Sequence, residues 1–137
     1  MTIYLDSSVI LRYILNGDTA LGRIAASDQV GTSDLLPIEC RRVLQRERLA
    51  AHLDDLQYTE AIALLDAILE RLYIIELGPA VKQRAAGPFP TVIGTLDAIH
   101  LASALLWREA VSDEAFCIYT YDTQLALCAR ALGIRVD

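Results

Sequence analysis

The sequence of 137 residues predicts an α/β fold with a mostly parallel sheet. Three short apolar runs at 2–5 (TIYL), 73–77 (YIIEL) and 116–121 (FCIYTY) are rich in β-branched and aromatic residues. The first run shows no alternation of apolar and polar residues, which is typical of a strand buried on both faces. Segments with apolar residues at helical spacing separate these runs. Strands that alternate with helices indicate a parallel sheet with helical crossovers.

The first strand ends at Asp6, and from Val9 onward the apolar residues follow one helix face, with Ser7 or Ser8 placed to cap that helix. The whole chain is predicted to follow the order βαα, βαα, βαα, βα, β. The later elements are a helix at 19–26, a strand at 29–32, a helix from 33 or 34 to about 51, a helix from 54 or 55 to about 72, a strand at 73–77, a helix at 81–86, a helix from 95 until Ser112, a strand at 116–121, a helix at 123–132 and an edge strand at 134–136.

Local residue types support several helix ends. Pro37 suits the first turn of its helix, where the missing N–H costs nothing, and Thr95 is placed to cap the helix that it begins. Gly133 has the usual place of a C-terminal capping glycine. We find no internal repeat or linker, so a single domain over residues 1–137 is expected.

The composition limits the classes of function. The net charge is -6 and the pI about 4.8, which argues against binding nucleic acid by bulk charge and leaves a local patch or a metal ion. A mean hydropathy of +0.35 suggests apolar surface reserved for a partner or a second copy. The three cysteines form no CxxC pair and resemble core residues of a reducing compartment. No signal-like or membrane-spanning run is present, so a cytoplasmic protein with no membrane partner is expected.

Four acids occupy comparable places in the predicted sheet. Asp6 and Asp122 each follow a strand, Glu39 lies early in the helix after the second strand, and Asp97 lies at a helix start. In a parallel sheet these places meet at one edge, where carboxylates about 4 Å apart repel by about 4 kcal/mol per pair at an effective dielectric constant near 20. Mg²⁺ or Mn²⁺ would remove that cost, and such ions suit phosphodiester chemistry.

Each acid also has a purely structural interpretation. Asp6 and Asp122 have the favoured residue type for a helix cap, and Asp97 suits the start of a helix dipole. Glu39 could form ion pairs with Arg42 or Arg46 along its own helix. A shared site explains four acids at one sheet edge better than four independent structural roles do.

The segments IYLDSS, LLPIECRRVLQR, GTLDAIHLASAL and YTYDTQLALCARALGIRV resemble the four acidic motifs of PIN-domain ribonucleases, specifically VapC-type toxins of toxin–antitoxin pairs. The resemblance spans nearly the whole chain and implies a sheet with helices on both faces. It also implies Mg²⁺- or Mn²⁺-dependent cleavage of RNA, a homodimer and an inhibiting antitoxin. The residues that it assigns to metal binding and catalysis are Asp6, Glu39, Asp97 and Asp122. It assigns supporting hydroxyls to Ser7 and Thr120, and Thr120 and Asp122, two apart on a strand, would point the same way.

Three further features of the sequence lead to expectations about substrate binding, packing and partners. Arg42 and Arg46 share a helix face with Glu39 and could steer RNA phosphates toward the acids, although a solvated face with internal ion pairs is about equally favoured. His100 lies one turn after Asp97, and we interpret it as a packed, hydrogen-bonded residue rather than a general base. The helices over 19–26 and 34–72 are candidates for binding a partner's amphipathic segment, with core packing as the simpler interpretation.

Rival functions are distinguished by single residues. Haloacid-dehalogenase phosphatases have an Asp-x-Asp motif after the first strand, and this chain has Ser8 in place of the second aspartate. A receiver domain would have a lysine at a strand end, whereas the single lysine of this chain, Lys82, lies on a short predicted helix. A catalytically silent interaction protein that binds a partner through the same acidic pocket stays an alternative.

Overall fold

A computed structural model describes residues 1–27 and 29–137, and it confirms the α/β class and the predicted element order. Within the described residues one sheet contains five parallel strands in the order β3-β2-β1-β4-β5. The strands are β1 (Thr2–Leu5), β2 (Gln29–Ser33), β3 (Tyr73–Ile75), β4 (Cys117–Tyr119) and β5 (Arg135–Val136). The helices are α1 (Ser7–Asn16), α2 (Ala20–Ile24), α3 (Leu36–Leu49), α4 (Asp55–Leu69), α5 (Pro79–Ala85), α6 (Thr95–Val111) and α7 (Thr123–Ala131).

Strand β1 is central, and its side chains enter two hydrophobic cores. Ile3 and Leu5 pack with buried residues of α1, α2, α3 and α4 on one face. Tyr4 packs with buried residues of α6 and α7 on the other face. Because successive side chains of a strand point to opposite faces, this arrangement explains why β1 is apolar throughout. The expectation of helices on both faces is therefore confirmed.

Several predicted boundaries are wrong at the carboxyl edge. The strand expected at 116–121 ends at Tyr119, so Thr120 and Asp122 lie in the connection to α7 and not on a strand. The Asp122 N–H binds Thr120 Oγ1 at 2.9 Å, a local bond that competes with strand pairing and turns the chain. Thr95 is the first helical residue of α6 rather than its cap, because Gly94 holds the extended N-cap conformation.

The cysteines Cys40, Cys117 and Cys128 are buried and unbridged, as expected of core residues. None of the helices in the described part of the chain is long and apolar enough to cross a membrane.

Candidate active site at the carboxyl edge of the sheet

The structure brings the four predicted acids to one edge of the sheet. Asp6 directly follows the central strand β1, and Asp122 follows the neighbouring strand β4 by a short connection. Glu39 lies in the first turn of α3 and Asp97 in the first turn of α6. Both helices run back against the strands, so their first turns lie at the carboxyl edge. This edge is where ligands bind in open α/β sheets.

Asp6 is buried, with 5% of its surface exposed, although a charged carboxylate is costly to bury. It occupies the N-cap position of α1, yet its side chain makes no capping hydrogen bond. Burial raises the pKa of Asp6 to about 6, and the charge of Asp122 acts in the same direction. Hydrogen bonds from Ser8 and Thr120 and the nearby His100 oppose that rise in pKa. The capping interpretation therefore does not account for this side chain.

Two hydroxyls hold Asp6 and the following connection together. Ser8 Oγ donates to Asp6 Oδ1 at 2.7 Å and accepts the Tyr121 backbone N–H at 3.0 Å. Thr120, 8% exposed, contacts Asp6 and accepts the Asp122 N–H. The sequence pattern does not identify Ser8 as a site residue, because two consecutive serines after a strand do not reveal which hydroxyl turns inward. Within the described ranges, Ser7 makes no side-chain hydrogen bond.

Asp122 and Asp97 keep carboxylate oxygens for other partners. Asp122 Oδ1 caps α7 by accepting the Gln124 and Leu125 N–H groups at 2.9 and 3.0 Å, so the capping interpretation accounts for one of its two oxygens. The pKa of Asp97 is raised by partial burial and by the charges of Asp122 and Glu39, while His100 lowers it. Asp122 is thus close enough to Asp6 and Asp97, and Glu39 close enough to Asp97, for their charges to interact.

Glu39 binds a histidine from the opposite helical layer and not the arginines of its own helix. Its Oε1 lies 2.5 Å from His100 Nε2, and His100 Nδ1 lies 2.6 Å from the Tyr4 hydroxyl. His100 is 2% exposed, which confirms the interpretation of a packed, hydrogen-bonded side chain. Burial and the charges of Asp6 and Glu39 hold the pKa of Tyr4 well above its usual value.

The basic residues of α3 divide into paired and unpaired side chains. Arg41 pairs with Asp66, and Arg48 pairs with Asp55. Arg42 and Arg46 are exposed and form no ion pair with any residue in 1–27 or 29–137. The two arginines that share a face with Glu39 are therefore the ones whose charge stays available to an outside anion.

The donor set fits a hydrated hard cation better than a closed metal cage. Across the part of the chain that the structure describes, no three His, Cys, Asp or Glu side chains are arranged as a ready-made metal site. Mg²⁺ needs fewer protein ligands, since it is usually bound by one or two carboxylates together with waters and substrate phosphates. Asp6, Asp97 and Asp122 offer oxygens of that kind at one edge.

The chain matches the family described as PIN domain over residues 3–134. Its fold is similar to VapBC2 from Rickettsia felis, solved bound to a DNA fragment from their promoter (TM-score 0.67, 16% identity, 100% of this chain and 98% of that chain). It is also similar to VapBC-1 from nontypeable Haemophilus influenzae (TM-score 0.65, 14% identity, 100% of this chain and 97% of that chain). A third similar structure is PAE2754 from Pyrobaculum aerophilum (TM-score 0.66, 17% identity, 99% of this chain and 83% of that chain). No curated protein sequence matches the chain.

Proposed function

The chain belongs to the PIN domain family, and from this premise we propose that it is a metal-dependent endoribonuclease acting as the toxin of a toxin–antitoxin pair. The observation that carries the proposal is the buried Asp6 at the end of the central strand, whose pKa is raised to about 6. The charge of Asp122 raises the pKa of both Asp6 and Asp97, and His100 is the basic side chain that opposes this rise at each. A buried carboxylate grouped with half-buried acids favours a site for a cation.

Asp6, Glu39, Asp97 and Asp122 would hold Mg²⁺ or Mn²⁺. When bound, such an ion polarises a phosphate oxygen and lowers the pKa of an attacking water. Ser8 and Thr120 keep the Asp6 carboxylate oriented, and the cap of α7 fixes Asp122. Ser7 remains a proposed supporting residue on the resemblance alone.

Two roles belong to the rim of the site. Asp97, whose pKa is raised, is better suited than Glu39 to accept a proton from water, because Glu39 is already engaged by His100. Arg42 and Arg46 would bind RNA phosphates, since their charges are exposed and unpaired among the described side chains.

We propose an antitoxin protein as a partner, because two of the similar structures are named as VapBC. An apolar cavity of about 500 Å³ between α1, α2, β2 and α4 could accept apolar side chains of such a partner. We also propose a single domain over 1–137 and a homodimer, the latter supported by exposed large apolar side chains such as Leu49 and Ile38. The three free buried cysteines support a reducing, cytoplasmic location.

The test is cleavage of end-labelled RNA by partner-free protein in Mn²⁺ or Mg²⁺, with EDTA and Asp97→Asn as controls. Discrete cuts that disappear in both controls would support the proposal. Lack of cutting by folded protein shown to bind Mn²⁺, across varied RNAs, would favour the catalytically silent interaction protein. Cutting that survives Asp97→Asn would indicate a contaminant or a wrongly assigned site.

A further inference from the structure

A buried line of hydrogen bonds joins Tyr4, His100 and Glu39. The Tyr4 hydroxyl lies 2.6 Å from His100 Nδ1, and His100 Nε2 lies 2.5 Å from Glu39 Oε1. Tyr4 is fully buried and His100 is 2% exposed, and their rings meet edge to face with centroids 5.9 Å apart. Tyr4 and His100 belong to the face of the sheet that packs α6, whereas Glu39 begins α3 on the other face. The line therefore connects the two helical layers at the edge that carries the acids.

The donors and acceptors present determine the direction of the hydrogen bond between His100 and Glu39. A neutral imidazole has one N–H and one acceptor nitrogen, a carboxylate only accepts, and a tyrosine hydroxyl is protonated at neutral pH. If the Tyr4 O–H donates to Nδ1, the ring proton is on Nε2 and points at Glu39. The other neutral tautomer would place the Nε2 lone pair against a carboxylate oxygen. Neutral or charged, the ring thus carries a proton on Nε2 that it donates to Glu39 Oε1.

We propose that Tyr4 and His100 are positioning residues for Glu39. The Tyr4 hydroxyl holds the His100 ring at Nδ1, and His100 Nε2 fixes Glu39 Oε1, leaving Oε2 for a ligand. This inference rests on the proposed function, because the ligand is the divalent ion of the nuclease site. Groups that orient a metal-binding side chain in this way typically contribute 10- to 100-fold to metal affinity or activity.

A simpler role is to satisfy buried polar atoms within the core. The two roles differ in what a small change at Tyr4 does. Tyr4→Phe keeps the aromatic ring in its core and removes only the hydroxyl that faces Nδ1. A core role predicts lower stability with an unchanged metal affinity, whereas a positioning role predicts a lower metal affinity in protein that is still folded.

The experiment combines imidazole ¹⁵N NMR with Mn²⁺ titration of the full chain. The chain has two histidines, so His52→Gln, an exposed residue paired with Glu47, assigns both rings. Wild-type His100 is expected to carry a proton on Nε2, the nitrogen that faces Glu39. Tyr4→Phe leaves Nδ1 without its hydroxyl partner, and it is expected to change the ¹⁵N shifts of the His100 ring and to bind Mn²⁺ about tenfold more weakly.

Two further variants separate position from packing. Ser103→Ala removes a buried hydroxyl one turn along α6 that donates to the Ile99 carbonyl, and it should change neither the ¹⁵N shifts of the His100 ring nor the Mn²⁺ affinity. His100→Gln keeps an N–H donor for Glu39 and should bind Mn²⁺ better than His100→Leu. This pair tests the proposal even if Tyr4→Phe does not fold.

The outcomes separate the inference from the proposed function. A wild-type His100 without a proton on Nε2 would overturn the inference. Equal Mn²⁺ affinities in wild type and Tyr4→Phe, or in His100→Gln and His100→Leu, would overturn it as well. A wild-type protein that binds no Mn²⁺ would instead overturn the metal-dependent function.

Discussion

The hydroxyl of Ser8 donates a hydrogen bond of 2.7 Å to Asp6 Oδ1. Ser8 Oγ also accepts the Tyr121 N–H, so one side chain of α1 joins the end of β1 to the connection after β4. Since Asp6 and Asp122 follow these two adjacent strands, Ser8 links the two segments that carry these acids. Its bond also lowers the pKa of Asp6 against the effect of burial. A bond that favours the ionised carboxylate favours a bound cation.

Ser8→Ala is therefore predicted to weaken Mn²⁺ binding at pH 7 more than Ser7→Ala does. A hydrogen bond to a charged group contributes about 1.5–3 kcal/mol, so the affinity should fall by about tenfold or more. Isothermal titration of both variants measures this difference. Ser7→Ala is the matched control, because it removes the neighbouring hydroxyl on the same helix turn. Equal losses in the two variants would contradict the assignment of Ser8.

Asp6→Asn is predicted to stabilise the metal-free protein at neutral pH. Burial raises the pKa of Asp6 from 3.8 to about 6, so the folded state binds this proton more tightly than the unfolded state. The carboxyl consequently stabilises the fold below about pH 4, and this contribution is lost as the pH rises through 6. The loss amounts to about 3 kcal/mol, which the neutral amide would avoid.

Urea unfolding in EDTA at pH 7.5 and pH 4 measures this effect. The stabilisation of Asp6→Asn over wild type should be large at pH 7.5 and small at pH 4. Asp66→Asn, on the surface of α4, is a control in which the difference should stay small at both values of pH. If the increase in the free energy of unfolding caused by Asp6→Asn does not depend on pH, Asp6 is not buried in its charged form.

Mn²⁺ is predicted to raise the thermal stability of the wild-type protein. The increase in Asp97→Asn should be much smaller. A ligand at a hundred times its Kd stabilises a folded protein by about 2.7 kcal/mol, and Asp97 would supply one of the oxygens. The gain should shrink as the pH falls below about 6, because Asp6 then takes up a proton in competition with the ion. Thermal unfolding at several values of pH tests both parts. A gain that persists at pH 5 or in Asp97→Asn would place the ion elsewhere.

The sequence was sufficient to predict the order of elements and the edge where the acids meet. Unbroken apolar strands and helical spacing determine the layers, and parallel strands then place Asp6, Glu39, Asp97 and Asp122 at one edge. The fine arrangement depended on tertiary contacts. The partner of Glu39 is His100, which is 61 positions away, and helix periodicity offered only the nearby arginines.

Local polar bonds explain the other differences from the predicted boundaries. Thr120 turns the chain through a bond to the Asp122 N–H, so the strand ends earlier than its apolar pattern. Of the two serines after Asp6, periodicity indicates a helix start for both, and only the position of Tyr121 determines that Ser8 is the bridging one. Side-chain bonds to distant backbone groups leave no periodic signal in a sequence.

Replacing both Arg42 and Arg46 with glutamine is predicted to raise the KM for RNA with little change in kcat. These exposed cations lack ion-pair partners among the described residues, so their loss removes attraction to phosphates and nothing from the acids. The salt dependence of RNA binding should weaken, with the log–log slope smaller by about 1–2. Arg48→Gln is the control, since Arg48 already pairs with Asp55 and stacks on Tyr58. A change in kcat alone would contradict a binding role.

Gly31→Ala is predicted to destabilise the fold although β2 tolerates side chains elsewhere. A Cβ at Gly31 would lie 2.7 Å from the Trp107 ring and 2.9 Å from the Tyr73 carbonyl oxygen. Trp107 is stacked on Tyr73 and packed against Phe116, and the carbonyl belongs to the backbone of β3, so neither can move away freely. Overpacking of this kind costs typically about 1–3 kcal/mol.

Urea unfolding followed by the fluorescence of Trp107, the single tryptophan, measures the cost at the place where the clash occurs. Gly22→Ala is the control, because a Cβ there meets nothing within 4 Å and lies inside α2. Alanine is favoured over glycine within a helix by about 1 kcal/mol, so this variant should be as stable as wild type or slightly more stable. A Gly31→Ala protein as stable as Gly22→Ala would show that β3 and α6 can separate at this point. The close packing of Trp107 against β2 would then not be needed to hold α6, and with it Asp97 and His100, at the sheet.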